Sequence, residues 1–141
     1  MNGKHPITSA TNIRMASVSK QFTTLCILSL VDKGALNLND SLNKYWAYPV
    51  FKNMTVNNLL NHTSGIADYD EYFNKSWDRS KTVENKDVLK WLSTNPSPVF
   101  KPGENWEYSN TAYLVLAILI EKVSGKEFSS YAQENVFQKL E

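Results

Sequence analysis

Ser17-Val18-Ser19-Lys20-Gln21-Phe22-Thr23-Thr24-Leu25-Cys26-Ile27-Leu28-Ser29-Leu30-Val31-Asp32-Lys33-Gly34 is the stretch from which the fold reads outward. Phe22, Leu25, Cys26, Ile27, Leu28, Leu30 and Val31 leave almost no polar face on a helical period. The segment is therefore expected to be a helix buried on most sides. Its signal begins near Ser17, and Gly34 after Lys33 supplies the stop.

Upstream, residues 2–16 are polar and carry Pro6, which predicts an extended lead-in with at most one short strand. Downstream, Leu36, Leu38 and Leu42 lie in an Asn- and Asp-rich stretch read as a loop with short turns. Thr55 is placed to cap a short helix through Leu60, with Gly65 as its closing residue. Residues 66–82 read as irregular. A helix is expected from about Glu84 to Ser93 on Val88, Leu89, Trp91 and Leu92. Asn95-Pro96-Ser97-Pro98 and Lys101-Pro102-Gly103 then force loop or turn. A second apolar helix is expected from about Thr111 to Val123, stopping at Gly125. A last amphipathic helix holds Phe128, Tyr131, Ala132 and Val136. The chain thus reads as one partial domain over residues 1–141, mainly α: a lead-in at 1–16, then a helical region at 17–141.

The totals limit the function classes. With 42% hydrophobic and 21% charged residues, the chain is too apolar to be disordered. Fifteen basic against 14 acidic residues give a net charge of +1, with no basic stripe for nucleic acid. The apolar stretches Leu25–Val31 and Ala112–Ile120 are too short to span a bilayer. No signal peptide is visible, and the terminal pair Leu140-Glu141 reads as a purification-tag junction. Cys26, the only cysteine, excludes an internal disulfide and sits in an apolar run as a buried thiol. One cysteine with His5 and His62 far apart makes no zinc set, so neither a metal nor a cofactor is expected.

Two short constellations carry chemistry. A serine hydroxyl is a weak nucleophile until a base takes its proton. At i and i+3 on a helix, Lys20 can reach the Ser17 oxygen, and the helix N-terminus adds partial positive charge. Ser41-Leu42-Asn43-Lys44 has the same spacing. Ser17, however, opens a long apolar helix, whereas Ser41 sits in a polar turn and reads as a turn or cap. In Tyr108-Ser109-Asn110, alternate side chains of an extended segment face one cleft. A tyrosine hydroxyl beside a lysine can relay protons, and Asn110 can bond a substrate amide. Tyr72-Phe73-Asn74 has the same form, and Tyr108 taken alone reads more readily as a buried aromatic with a satisfied hydroxyl.

Three segments together bear a resemblance. Thr11 through Thr23, with Ser17-Val18-Ser19-Lys20 at its centre, resembles the first motif of the serine β-lactamase and penicillin-binding-protein superfamily. The branch is that of class C β-lactamases and D-alanyl-D-alanine carboxypeptidases. Leu59-Leu60-Asn61-His62-Thr63-Ser64-Gly65 is similar to that branch's Leu-Leu-x-His-Thr-Ser-Gly segment. Phe100-Lys101-Pro102-Gly103 followed by Trp106-Glu107-Tyr108-Ser109-Asn110 and Tyr113 resembles its Pro-Gly and Tyr-Ser-Asn motif. Ser41 and Tyr72 match none of these.

The resemblance implies a serine hydrolase acting on β-lactam, D-Ala-D-Ala-type peptide or ester bonds through an acyl-enzyme. Ser17 would be the nucleophile, Lys20 the base, Tyr108 its partner in proton relay, and Asn110 the residue that orients the substrate. His62 would be chiefly structural. The substrate would be a small molecule or peptidoglycan-like, and the location extracytoplasmic or in the cell envelope. A non-catalytic penicillin-binding-like module, holding a ligand or partner, is the alternative. The family's third motif, Lys or His, then Ser or Thr, then Gly, lies on its central sheet. That motif falls after the last residue here, and Lys81-Thr82-Val83 does not replace it. The chain is therefore expected to be the helical region of an α+β fold whose antiparallel sheet is largely missing. The piece would then be inactive, with exposed apolar faces open to self-association.

Overall fold

The computed structural model describes residues 6–76, 78, 80–94 and 97–139. Residues 2–5 of the lead-in, the Asn95-Pro96 pair and the Leu140-Glu141 terminus lie outside them. Six α-helices follow in order: α1 (Lys20–Asp32), α2 (Val56–Leu60), α3 (Tyr69–Ser76), α4 (Asn85–Thr94), α5 (Asn110–Ser124) and α6 (Phe128–Asn135). Among the described residues, strand pairing is limited to one isolated antiparallel bridge between Ser41 and Thr55. The expectation of a mainly α piece holds.

Helix α5 is the hub and packs against each of the other five helices. Ala112, Val115, Leu116, Leu119 and Ile120 are fully buried along it, because its apolar residues run round most of the cylinder. Ser109 caps its start, accepting from the Ala112 N–H at 3.2 Å. Gly125, at φ +70°, ends it in the left-handed conformation. Cys26, Ile27 and Leu30 of α1 are buried with it. Burial raises the Cys26 thiol above its ordinary pKa, keeping it protonated.

Four expectations need correction. Helix α1 is buried along one face: Leu25 is 45% and Leu28 39% exposed. Its apolar residues run all round, but the elements packed on it, α5 and α6, cover a single side. The α-helix proper begins at Lys20, and Ala16–Ser19 form a 3-10 turn before it. The short helix capped by Thr55 runs through Leu60 as expected, but Asn61 rather than Gly65 closes it. Thr55 and Asn58 form a reciprocal capping box at its start, and Asn61 and His62 turn the chain away. Residues 66–82 are not irregular throughout, since α3 occupies Tyr69–Ser76. In the lead-in, the described residues show a turn, with the Thr11 N–H donating to the Thr8 carbonyl at 3.0 Å, and no strand.

No helix among the described residues is long and apolar enough to cross a membrane.

Candidate active site

The nucleophile candidate sits on the tight turn that opens α1. Ala16 has φ +47°, a conformation that costs a non-glycine residue about 1–2 kcal/mol and folds the chain back sharply before Ser17. Such strain gathers at functional sites. The Ser19 hydroxyl donates to the Ala16 carbonyl at 2.7 Å and holds the turn. In 3-10 geometry residues i and i+3 eclipse, which stacks Lys20 over Ser17 more directly than an α-helix does. Lys20 Nζ donates to Ser17 Oγ at 3.4 Å.

The second half arrives from a segment 91 residues on. Tyr108 Oη donates to Ser17 Oγ at 2.8 Å. Lys20 Nζ donates to Asn110 Oδ1 at 2.8 Å and lies 4.9 Å from the centre of the Tyr108 ring. The Lys20 ammonium first, and the Ser17 hydroxyl second, draw the Tyr108 phenol below its ordinary pKa by favouring the phenolate. All four expected residues, Ser17, Lys20, Tyr108 and Asn110, therefore meet in one place.

Their meeting depends on how residues 62–65 grip residues 99–109. The Val99 N–H donates to the Gly65 carbonyl at 2.8 Å, Gly103 to Thr63 at 2.8 Å, and Glu107 to His62 at 2.9 Å. Gly65 stands at φ +70°, and a Cβ there would lie 2.1 Å from the Phe100 carbonyl oxygen. A hydrogen atom is all that fits. His62, at φ +57°, sets its ring under Tyr108 with centroids 4.7 Å apart, beside Tyr113 at 5.1 Å. Its Nδ1 accepts from the Ser109 N–H at 3.2 Å, so the ring braces Tyr108 from behind. Burial, and secondarily the Lys20 charge, lower the His62 pKa and keep the imidazole neutral, as that acceptor role requires. Tyr113 Oη donates to the Leu60 carbonyl at 3.1 Å and shares a 3.3 Å bond with the Thr24 hydroxyl, tying α1, α2 and α5 together.

Sequence reasoning missed the residues that fix Asn110. Asp68 caps α3 by accepting from the Asp70 N–H at 3.0 Å, and its other oxygen accepts from the Asn110 N–H at 2.6 Å. The buried Thr111 hydroxyl accepts from the Tyr69 N–H at 2.7 Å. Asn110 Nδ2 donates to Asp70 Oδ2 at 3.3 Å. A signal was present: Asp68 followed three residues on by Glu71 is a helix-start pattern.

The decoys go elsewhere. Ser41 caps the turn Leu42–Lys44, accepting from the Asn43 N–H at 3.3 Å, and Lys44 pairs with Asp40 at 2.9 Å. Tyr72 stacks on Trp91 with ring centres 5.2 Å apart. Among the described residues no group of three or more His, Cys, Asp and Glu side chains is placed to hold a metal.

What converges is a hydroxyl within reach of a lysine and a perturbed phenol, beside an amide held in one orientation. The whole chain, residues 1–141, matches the protein family described as Beta-lactamase. It is 37% identical over 138 residues to penicillin-binding protein 4* of Bacillus subtilis, covering 97% of this chain and 31% of that protein. The chain thus spans about a third of that relative's length. Among solved structures, a penicillin-binding protein from Bacillus halodurans superposes with a TM-score of 0.74 at 37% identity, over 87% of this chain and 38% of that one. A D-stereospecific amidohydrolase from Streptomyces gives 0.77 at 30% identity, over 91% and 42%. The D-amino acid amidase of Ochrobactrum anthropi gives 0.83 at 27% identity, over 98% and 42%.

Proposed function

Given that the chain belongs to the beta-lactamase family, we propose that it is the nucleophile-bearing helical region of a serine hydrolase that cleaves amide or ester bonds through an acyl-enzyme at Ser17. One observation carries the reading: Ser17 Oγ lies 2.8 Å from Tyr108 Oη and 3.4 Å from Lys20 Nζ. The Tyr108 distance is the one proton transfer needs, and Lys20 stands just beyond it.

Ser17 attacks the substrate carbonyl carbon while Lys20 and Tyr108 together accept its proton. Tyr108 is the nearer acceptor, and the lowering of its phenol by Lys20 favours the phenolate that takes it. The proton passes to the leaving nitrogen or oxygen as the carbon–heteroatom bond breaks. Water then attacks the acyl-enzyme with the same pair as base, and Ser17 regains its proton. Asn110 holds Lys20 through its Oδ1 and keeps Nζ over Ser17. The names of the relatives point to a β-lactam or a D-amino-acid amide; a D-Ala-D-Ala-type peptide or an ester offers the same acyl chemistry.

The residues described here leave the groove open along one side, with Ser17 and its neighbours at 6–19 exposed. We place the missing oxyanion donor and the substrate's remaining contacts on further chain of the kind that makes up the rest of the relatives. Removing one such donor costs about 100- to 1000-fold in rate. The 141-residue chain alone is accordingly near-inactive. The test is turnover of nitrocefin, p-nitrophenyl acetate and a D-amino-acid amide by the full-length gene product. Hydrolysis that disappears in Ser17→Ala supports the reading; hydrolysis that survives the substitution refutes it.

A further inference from the structure

We infer that His62 is a positioning residue that senses pH: Ser17 is reactive only while the imidazole is neutral, an inference that rests on the hydrolase reading above. The ring is half-buried, so protons from solvent reach it. Its Nδ1 accepts from the Ser109 N–H at 3.2 Å. A neutral imidazole has one acceptor nitrogen, and an imidazolium has none. Ser109 is buried, and its N–H has no other acceptor among the described residues. Protonation at Nδ1 therefore sets donor against donor at a buried contact, and the two must part.

Ser109 lies between the two residues that reach the Ser17–Lys20 pair. Tyr108 on one side donates to Ser17 and Asn110 on the other accepts from Lys20, both at 2.8 Å. His62 cannot swing aside freely. Its carbonyl accepts from the Glu107 N–H at 2.9 Å, and its ring is wedged between Tyr108 and Tyr113 with Trp106 edge-on. Separation therefore displaces residues 108–110 and draws Tyr108 off Ser17. The charged and titratable groups that face the ring are Lys20 from α1, Tyr108 from the extended segment and Tyr113 from α5. Two phenol rings can welcome a cation, but Lys20 Nζ already sits 4.9 Å and 5.6 Å from their centres. No carboxylate pairs with His62 among the described residues. Burial, and then the Lys20 charge, hold its pKa below the ordinary 6.5.

The experiment uses the full-length protein and the rate at which a fluorophosphonate labels Ser17 as pH falls from the alkaline side, each profile normalised to its own alkaline value. The His62 ring and Tyr108 are titrated by NMR on the same protein. Protonation of the Lys20–Tyr108 base alone slows labelling about tenfold per pH unit. With His62 acting as well, the fall steepens to about a hundredfold per unit below the His62 pKa. His62→Asn sets an acceptor oxygen near the Nδ1 position, tolerates the left-handed backbone and does not titrate, so its profile should stay at about tenfold per unit. One unit below the His62 pKa, the wild type should therefore lie about tenfold under the variant, and the Tyr108 resonance should move with that titration. Superimposable profiles, a Tyr108 resonance indifferent to His62, or a wild type that unfolds in circular dichroism before His62 titrates overturns the inference and leaves the hydrolase reading standing. If His62→Asn does not fold, the wild-type profile decides, and a fall that stays at about tenfold per unit below the His62 pKa overturns the inference. A wild-type Ser17 that takes no label at any pH overturns the hydrolase reading and this inference with it.

Discussion

Replacing Gly65 by alanine tests how the two halves of the site are held together. Gly65 and Gly125 share φ +70°, so a methyl group at either position is left-handed and costs about 1–2 kcal/mol. Their surroundings differ. A Cβ at Gly125 meets nothing within 4 Å, whereas one at Gly65 lies 2.1 Å from the Phe100 carbonyl oxygen. That oxygen is backbone and cannot rotate away, so residues 99–103 must shift. The shift breaks the 2.8 Å bond from Val99 to Gly65, adding about 0.5–1.5 kcal/mol. Displaced packing of Phe100 adds further cost. Gly65→Ala should therefore destabilise by about 3 kcal/mol, and Gly125→Ala by about 1 kcal/mol. Urea unfolding of the full-length protein, followed by tryptophan fluorescence, reads both. Because the same segment carries Tyr108 to Ser17, Gly65→Ala should also slow Ser17 labelling in protein that remains folded, while Gly125→Ala should not. Equal losses of stability in the two variants would refute the claim that close approach to Phe100, rather than dihedral strain, makes Gly65 necessary.

Other outcomes follow from the same geometry. Tyr108→Phe removes the hydroxyl nearest Ser17 and should lower kcat/KM by about 100- to 10,000-fold, with little change in melting temperature since the ring stays against His62. His62 has a folded-state pKa below its ordinary 6.5, so the unfolded chain binds the extra proton first. Its contribution to stability should be full above pH 6.5 and erode as pH falls from there toward the folded value. Melting curves across that range should show the loss, and His62→Gln should flatten it. Leu25 and Leu28 leave an apolar strip on α1, so the 141-residue chain alone should self-associate in light scattering, and Leu28→Lys should shift it toward monomer.

The helices that make the core were legible because their apolar residues are dense. The helix expected over Thr111–Val123 and the observed Asn110–Ser124 differ by one residue at each end, with Ser109 and Gly125 as the caps the residue types suggest. Helix α3 was hidden because only Phe73 on it is buried; Tyr69 is half-buried against the core and Tyr72 stacks on Trp91 of α4, so no strong stripe appears. The residue that closes α2 was misassigned for a different reason. Left-handed turns are usually read from glycine, yet His62 takes one at φ +57°, held by Tyr108, Tyr113 and the Ser109 N–H. Nothing in the local sequence announces a conformation imposed from residues more than forty positions away. At the site, spacing alone offered two serines and two tyrosines. The long apolar helix behind Ser17 and the companion segments around His62 and Tyr108 separated the candidates. Asp68 and Asp70 act through contacts with Asn110 across forty residues, which spacing does not reveal.

The central claim is that Ser17 is a nucleophile activated by Lys20 and Tyr108. Intact-mass and peptide-mapping mass spectrometry of the full-length protein, quenched in acid during reaction with a slowly hydrolysed β-lactam or a fluorophosphonate, tests it most directly. The account predicts one added acyl or phosphonyl group, located on the peptide containing Ser17, absent in Ser17→Ala and strongly slowed in Lys20→Ala and Tyr108→Phe. An adduct on any other residue, or labelling of Ser17 at an unchanged rate in both of those variants, would contradict it.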